Sequence, residues 1–354
     1  MKALVLAGGT GTRLRPFSYS MPKQLIPVAN KPVLVHCLEA LRDADIHDVG
    51  IIVGGRRDEI EAAVGDGAAL GLRLTYIPQD KPLGLAHCVS IAADFLGDDD
   101  FVMYLGDNVL VGGITAMADA FRAQRPAAQV VVTKVPDPRE YGVAEVDLDG
   151  RVTALVEKPT HPRSDLALIG VYFFTPQIHE AVRRIRPSWR NEYEITDAIA
   201  WLVEQGRLVQ AHTFSGYWKD TGRIEDVLEC NRVLLESIKP RIEGEVDRYS
   251  EIVGSVVIEA GARIVRSRVV GPTIVAANSL VEDSYLGPYT ALGRDCALRG
   301  AGLEYSIVLD GVAVGQVRGI HGSVIGRGAQ VRSAVDTAQH RLVIGDHTQV
   351  EIVA

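Results

Sequence analysis

Beyond Arg241 apolar residues recur at a fixed interval, and that interval constrains the fold more than any other feature of the chain. They fall every six positions at Ile252, Ile258, Ile264 and Val270, step by four to Ile274, then resume at Leu280, Leu286, Leu292 and Leu298. A third run is Val308, Val314 and Ile320, and small or short polar residues often follow four places on, at Ala262, Asn278, Ser284, Thr290 and Cys296. A six-residue repeat marks a parallel β-helix, in which each coil stacks on the next and together they bury one apolar column. The stretch predicts about five coils, with the irregular end from Ala334 to Ala354 capping the stack.

The residues before Arg241 follow a different grammar. The apolar run Ala3-Leu4-Val5-Leu6 reads as a buried strand, and it breaks into Ala7-Gly8-Gly9-Thr10-Gly11-Thr12-Arg13-Leu14. Three glycines remove the Cβ atoms that would hold a bulky anion off the backbone, so successive N–H groups can cradle phosphate. Arg13 adds a planar fork of donors, and Lys23 a mobile point charge. A dinucleotide fingerprint is excluded because Leu14 stands where its third glycine belongs. A P-loop is excluded because Gly11-Thr12-Arg13 lacks its Gly-Lys-Ser/Thr ending.

Strand and helix then alternate. Pro32 opens a helix carrying Leu34, Leu38 and Leu41; Val49–Val53 and Leu72–Ile77 are strands; Asp58–Val64 and Leu85–Phe95 are helices. That order predicts a parallel sheet covered on both faces, with ligands beyond the carboxyl ends of its strands. Phe101–Leu105 is a central strand ending in Gly106-Asp107-Asn108, where a carboxylate can hold a hard cation through oxygen. Glu140–Val146 and Val152–Val156 read as a hairpin turning at Asp149-Gly150 and running into Glu157-Lys158-Pro159. A carboxylate suits sugar hydroxyls and an ammonium suits a sugar phosphate, although alone this dipeptide also reads as an exposed pair. Gly170–Phe174 is another buried strand, and Arg190–Asp197 begins a helix that continues through Leu202. Pro240 ends the last helix of this part.

Composition narrows the class. The net charge of −8 argues against a nucleic-acid partner, and 47% hydrophobic content fits a globular protein. Cys37, Cys88, Cys230 and Cys296 have no paired spacing and read as reduced thiols. No apolar stretch approaches the roughly 20 residues of a membrane span, so no membrane partner and a cytoplasmic location are expected.

The strand, Leu6–Leu14 and Met21-Pro22-Lys23-Gln24-Leu25 together resemble the sugar nucleotidyltransferases, a composite motif far more specific than a lone glycine pattern. The resemblance implies a Rossmann-like, mostly parallel nucleotidyltransferase domain over 1–240 and a left-handed β-helix of hexapeptide repeats over 241–354. It looks most like the longer thymidylyltransferases of this family, which join dTTP and glucose 1-phosphate with Mg²⁺ to give dTDP-glucose and pyrophosphate. Carried over residue by residue, it gives Arg13 and Lys23 catalytic roles. It gives nucleotide-binding roles to Leu6, Gly8, Gly9, Thr10, Gly11, Thr12, Arg13, Gln79, Gly84 and Asp107, with Gln79 and Gly84 at the base. Read without the family, Gln79 is a solvated loop residue. The sugar phosphate falls to Gly142, Glu157, Lys158, Tyr172 and Arg190, the metal to Asp107 and Asp220, while Glu192 and Glu194 neutralise Arg190 or cap its helix. The alternatives left open are another nucleotide such as UTP or GTP, another sugar 1-phosphate, or a non-catalytic regulatory subunit. The β-helix is expected to serve assembly into a homo-oligomer, with acyl transfer through His321, His340 or His347 the weaker reading.

Overall fold

The computed structural model describes residues 1–333 and 342–352 of the chain. It divides into two compact units, Met1–Gly9 with Leu34–Asp220, and Thr10–Val33 with Thr221–Ala354.

The first unit is built on a nine-stranded sheet. Its parallel part runs Phe101–Leu105, Lys2–Leu6, Asp48–Val53 and Arg73–Pro78, each strand in register with the next. Leu4, Ile52, Phe101 and Met103 are fully buried, as expected of strands covered on both faces. The substrate half is antiparallel. Leu166–Phe174 pairs with Phe101–Leu105 on one side, and also with Ala128–Lys134 and with Gly142–Val146. The hairpin of Gly142–Val146 and Val152–Glu157 forms as predicted, with Gly150 in the left-handed region at its turn.

Three local expectations shift. Pro32 pairs with Pro27 in a two-residue ribbon, so the helix begins one residue later, at Val33–Asp43. The helix expected over Leu85–Phe95 is two, Leu85–Ile91 and Ala93–Leu96, because Ala92 leaves helical geometry. The helix expected from Arg190 begins only at Ile195–Glu204, since Asn191 adopts a left-handed φ of 60°.

In the second unit, three all-parallel sheets of seven, seven and five strands form the stack expected of a left-handed β-helix. Ile258, Ile264, Val269, Val275, Val281, Leu286, Leu292 and Leu298 are each no more than 1% exposed and make the column. Val270 and Leu280, expected in it, are only half-buried. The reason is coil length: equivalent residues lie 17 apart in the Ser250–Ser267 and Ser267–Ser284 contacts and 16 apart where Ala291 pairs with Ile307, so a coil falls short of three six-residue sides. The stack therefore holds more coils than the five expected. At that corner the Ser267 hydroxyl accepts from Ser284 N–H and the Ser284 hydroxyl from Ala301 N–H, each at 3.0 Å. This ladder satisfies backbone donors that the turn would otherwise leave buried and unpaired.

Of the expected cap, residues 334–341 and 353–354, with His340, lie outside the described residues. Val343–Ile344 and Gln349–Ile352 extend two of the faces.

Candidate functional site

The glycine motif is shared between the two units: Leu6, Gly8 and Gly9 belong to the first, Thr10, Gly11, Thr12, Arg13 and Lys23 to the second. In the first unit, Leu6 ends its strand with its carbonyl accepting from Gly106 N–H at 3.0 Å. A Cβ on Gly8 would meet Gln79 Oε1 at 3.0 Å, so the amide expected to read a base sits directly against the glycine turn. Gln79 is not the solvated loop residue that its type alone suggests. It is half-buried, its Nε2 donates to Cys88 Sγ at 3.2 Å, and the same nitrogen lies 3.2 Å from His87 Nδ1. Burial pushes the Cys88 thiol up to about 12, so it stays a neutral partner. Gly84 has a φ of 105°, and a Cβ there would lie 2.4 Å from Tyr193 O. Tyr193 N–H donates to Leu83 O at 2.7 Å, and Tyr193 O accepts from Ala86 N–H at 3.0 Å. Glycine is thus required for this loop to dock onto the segment that carries Arg190.

Asp107 is 7% exposed at the carboxyl end of Phe101–Leu105. The next strand, Asn108–Leu110, pairs antiparallel with Trp218–Asp220 and sets Asp220 opposite Asn108. Two carboxylates more than a hundred residues apart in sequence are so brought to adjacent register positions. Asn108 ties Asp107 to the strand that carries Asp220: its Nδ2 donates to Asp107 Oδ1 at 3.0 Å, and its Oδ1 accepts from Trp218 Nε1 at 2.6 Å. Burial, and then the charge of Asp107, hold the Cys37 thiol far above its ordinary range.

The sugar-phosphate candidates form a second cluster in the same unit. Arg190 Nη1 lies 3.6 Å from Glu157 Oε1 and 3.3 Å from Glu194 Oε1, and Nη2 lies 3.2 Å from Glu192 Oε1. Glu192 and Glu194 therefore neutralise Arg190, as expected, and Glu157 faces it as a third carboxylate. Glu194 precedes the helix without capping it and instead accepts from Ser188 Oγ at 2.9 Å. Lys158 turns back through a φ of 43°, leaving its Nζ 4.0 Å from Glu157 Oε1. Tyr172 is buried, and desolvation followed by the charges of Glu157 and Glu194 raises its hydroxyl pKa, so it remains a neutral donor. Gly142 leaves room for Glu157 Oε2, 3.3 Å from where a Cβ would stand.

Thr196 was not legible in the sequence. It is 1% exposed and donates from Oγ1 to Glu157 Oε2 at 3.1 Å, fixing the carboxylate that Arg190 faces. Trp218 also packs edge-on against Tyr141, ring centroids 5.5 Å apart, which ties the aspartate strand to the residue preceding Gly142.

In the second unit Thr12–Leu14 is a short turn of 3₁₀ helix, with Arg13 exposed. Gly11 holds a φ of 63°, and a Cβ there would meet Lys23 Cβ at 2.9 Å, so Lys23 packs against the glycine turn itself. Along the β-helix, His321 is exposed and stacks on Tyr305 at 5.6 Å. A cavity of about 550 Å³ opens on the five-stranded face, and two of the cations that line it are matched, Arg266 with Asp283 and Arg268 with Glu251.

The nucleotidyl transferase family model matches residues 2–237. The chain is 56% identical over 353 residues to the glucose-1-phosphate thymidylyltransferase of Streptomyces griseus, covering 99% of each. It is 42% identical to the low-salt glycan biosynthesis nucleotidyltransferase Agl11 of Haloferax volcanii, over 99% of this chain and all of that one. Among solved structures, a Bacillus anthracis protein assigned as a glucose-1-phosphate thymidylyltransferase, in complex with sucrose, matches with a TM-score of 0.63 at 33% identity. That match covers 68% of this chain and 96% of the other.

Proposed function

The chain belongs to the nucleotidyl transferase family, and from that premise we propose that it joins dTTP to α-D-glucose 1-phosphate, giving dTDP-glucose and pyrophosphate. The observation that carries the substrate assignment is the end-to-end likeness to the Streptomyces griseus enzyme, which includes the β-helix. The gathering of Glu157, Lys158 and Arg190 supports it independently, because a hexose phosphate needs a hydroxyl acceptor beside cations.

In this reading Leu6, Gly8, Gly9, Thr10, Gly11 and Thr12 offer backbone to the triphosphate, and Gln79 and Gly84 serve the base. Gly142, Glu157, Lys158, Tyr172 and Arg190 hold glucose 1-phosphate. An oxygen of the sugar phosphate attacks the α-phosphorus in line. Its new P–O bond forms as the bond to the β-phosphate oxygen breaks, and the electron pair leaves with pyrophosphate. The nucleophile is already an anion, so no base is needed; the barrier lies in bringing like charges together. Arg13 steadies the departing pyrophosphate, while Lys23, Lys158 and Arg190 neutralise the attacking side, contributions of roughly two powers of ten in rate each.

The donors of Asp107 and Asp220 are all oxygen and occupy neighbouring register positions, which fits a hard divalent cation, Mg²⁺ in this reading. Among the described residues no three His, Cys, Asp or Glu side chains form a cage for a metal. Two carboxylates suit an ion that completes its shell with phosphate and water, and when bound it supplies charge that offsets the reacting phosphates. The catalytic domain is assigned to 1–240 and the β-helix domain to 241–354, the latter serving assembly into a homo-oligomer. Four free buried thiols agree with a cytoplasmic site of action, and no helix among the described residues is long and apolar enough to cross a membrane.

The test is pyrophosphate release measured over a matrix of triphosphates and sugar 1-phosphates. dTTP with glucose 1-phosphate is expected to give the highest kcat/KM. Preference for UTP or GTP would transfer the assignment to that nucleotide, and no release from any pair would leave the regulatory-subunit reading.

A further inference from the structure

Between Lys23 and the first long helix stands a tight ribbon, Pro27–Val28 against Lys31–Pro32, whose turn residues Ala29 and Asn30 have φ of 48° and 59°. Nothing in the sequence motif assigns this ribbon a task. Asn231, 1% exposed on the helix Ile224–Glu236, accepts from Ala29 N–H through Oδ1 at 2.9 Å. The same amide donates through Nδ2 to Tyr289 O at 3.0 Å, on a coil of the β-helix. Asn30 makes a second bridge, its Nδ2 donating to Leu292 O at 2.7 Å on that coil. The ribbon is joined in turn to the catalytic candidates: Val33 N–H donates to Ile26 O at 3.1 Å, Ile26 N–H donates to Lys23 O at 3.2 Å, and Lys23 packs on Gly11.

We propose that Asn231 and Asn30 are positioning residues for the triphosphate site, through which the β-helix fixes the segment carrying Gly11, Arg13 and Lys23. The inference rests on the functional reading above, which gives those three residues their roles. Its physical basis is that a buried amide with both ends satisfied holds two backbones in one register, whereas removing it leaves a half-buried donor and a half-buried carbonyl without that partner. Phosphate-binding groups then sample positions away from the productive one, and a loss of alignment of an ångström suffices to cost about a hundredfold.

The experiment compares the full chain with Asn30→Gly and Asn231→Ala. Asn30→Gly is the gentle variant, because glycine accepts the left-handed turn without strain. Dissociation constants for dTTP are measured by calorimetry with Mg²⁺, and KM for each substrate by pyrophosphate release, with melting temperature recorded for each protein. The expected result is at least a fivefold rise in Kd and KM for dTTP in both variants, with KM for glucose 1-phosphate, to which Lys23 alone of this segment is assigned, rising by a smaller factor. A merely structural role lowers the melting temperature and the active fraction and moves neither constant; that outcome, or an equal rise in both KM values, overturns the proposal. If the parent chain binds dTTP without releasing pyrophosphate, only the functional reading fails, and the calorimetric comparison still decides. If the parent chain binds no dTTP, both fall.

Discussion

Gly84 shows how a single residue can be legible for one reason and needed for another. The family resemblance places it at the base, whereas the structure shows Tyr193 backbone already packed where a Cβ would go, 2.4 Å from Tyr193 O. Gly84→Ala is therefore expected to displace Tyr193 and the neighbouring Arg190 segment, raising KM for both substrates, a change that steady-state kinetics with each substrate varied will reveal. Arg13 presents the opposite case. It is exposed and makes no contribution to a core, so Arg13→Ala should leave the melting temperature within about two degrees while kcat/KM falls by about 10²-fold or more. Charged and glycine positions were readable because their chemistry is local to a motif. Thr196 and His87 were not, because a threonine and a histidine on helices carry no signal until the fold sets them beside Glu157 and Gln79.

At the scale of elements, the strands were read most faithfully. A continuous apolar run such as Phe101–Leu105 can satisfy its burial in one way, and its end announces the ligand side of the sheet. Helix starts were read less well, since backbone choices at Asn191 and Ala92 depend on packing rather than on the periodicity of side chains. In the β-helix the six-residue rhythm gave the architecture but drifted in register, because coils of 16 or 17 residues cannot be divided into three sides of six. The burial of Leu286 and the half-exposure of Val270 make the corrected register testable. Leu286→Ala should cost about 2–5 kcal/mol in denaturant unfolding, and Val270→Ala clearly less; equal costs would restore the strict six-residue column.

On the scale of the whole molecule, the two reactants are both anions, and the chain's answer is distributed widely through its sequence. One antiparallel pair of short strands sets Asp220 opposite Asn108, the residue that follows Asp107, a long-range fact that no local pattern encodes. Only the family resemblance had joined the two aspartates. Chelation of divalent ions is expected to abolish turnover, with Mg²⁺ restoring it, and Asp220→Asn to raise the Mg²⁺ concentration needed for half-maximal rate; unchanged metal dependence would remove Asp220 from that role. The remaining question is whether the sugar phosphate attacks dTTP directly, since the proposed roles include no protein nucleophile. The stereochemical course at the α-phosphorus answers it, using dTTP made chiral there by sulfur substitution. A single in-line displacement predicts dTDP-glucose of inverted configuration; retention would require a nucleotidylated protein intermediate and would contradict the account.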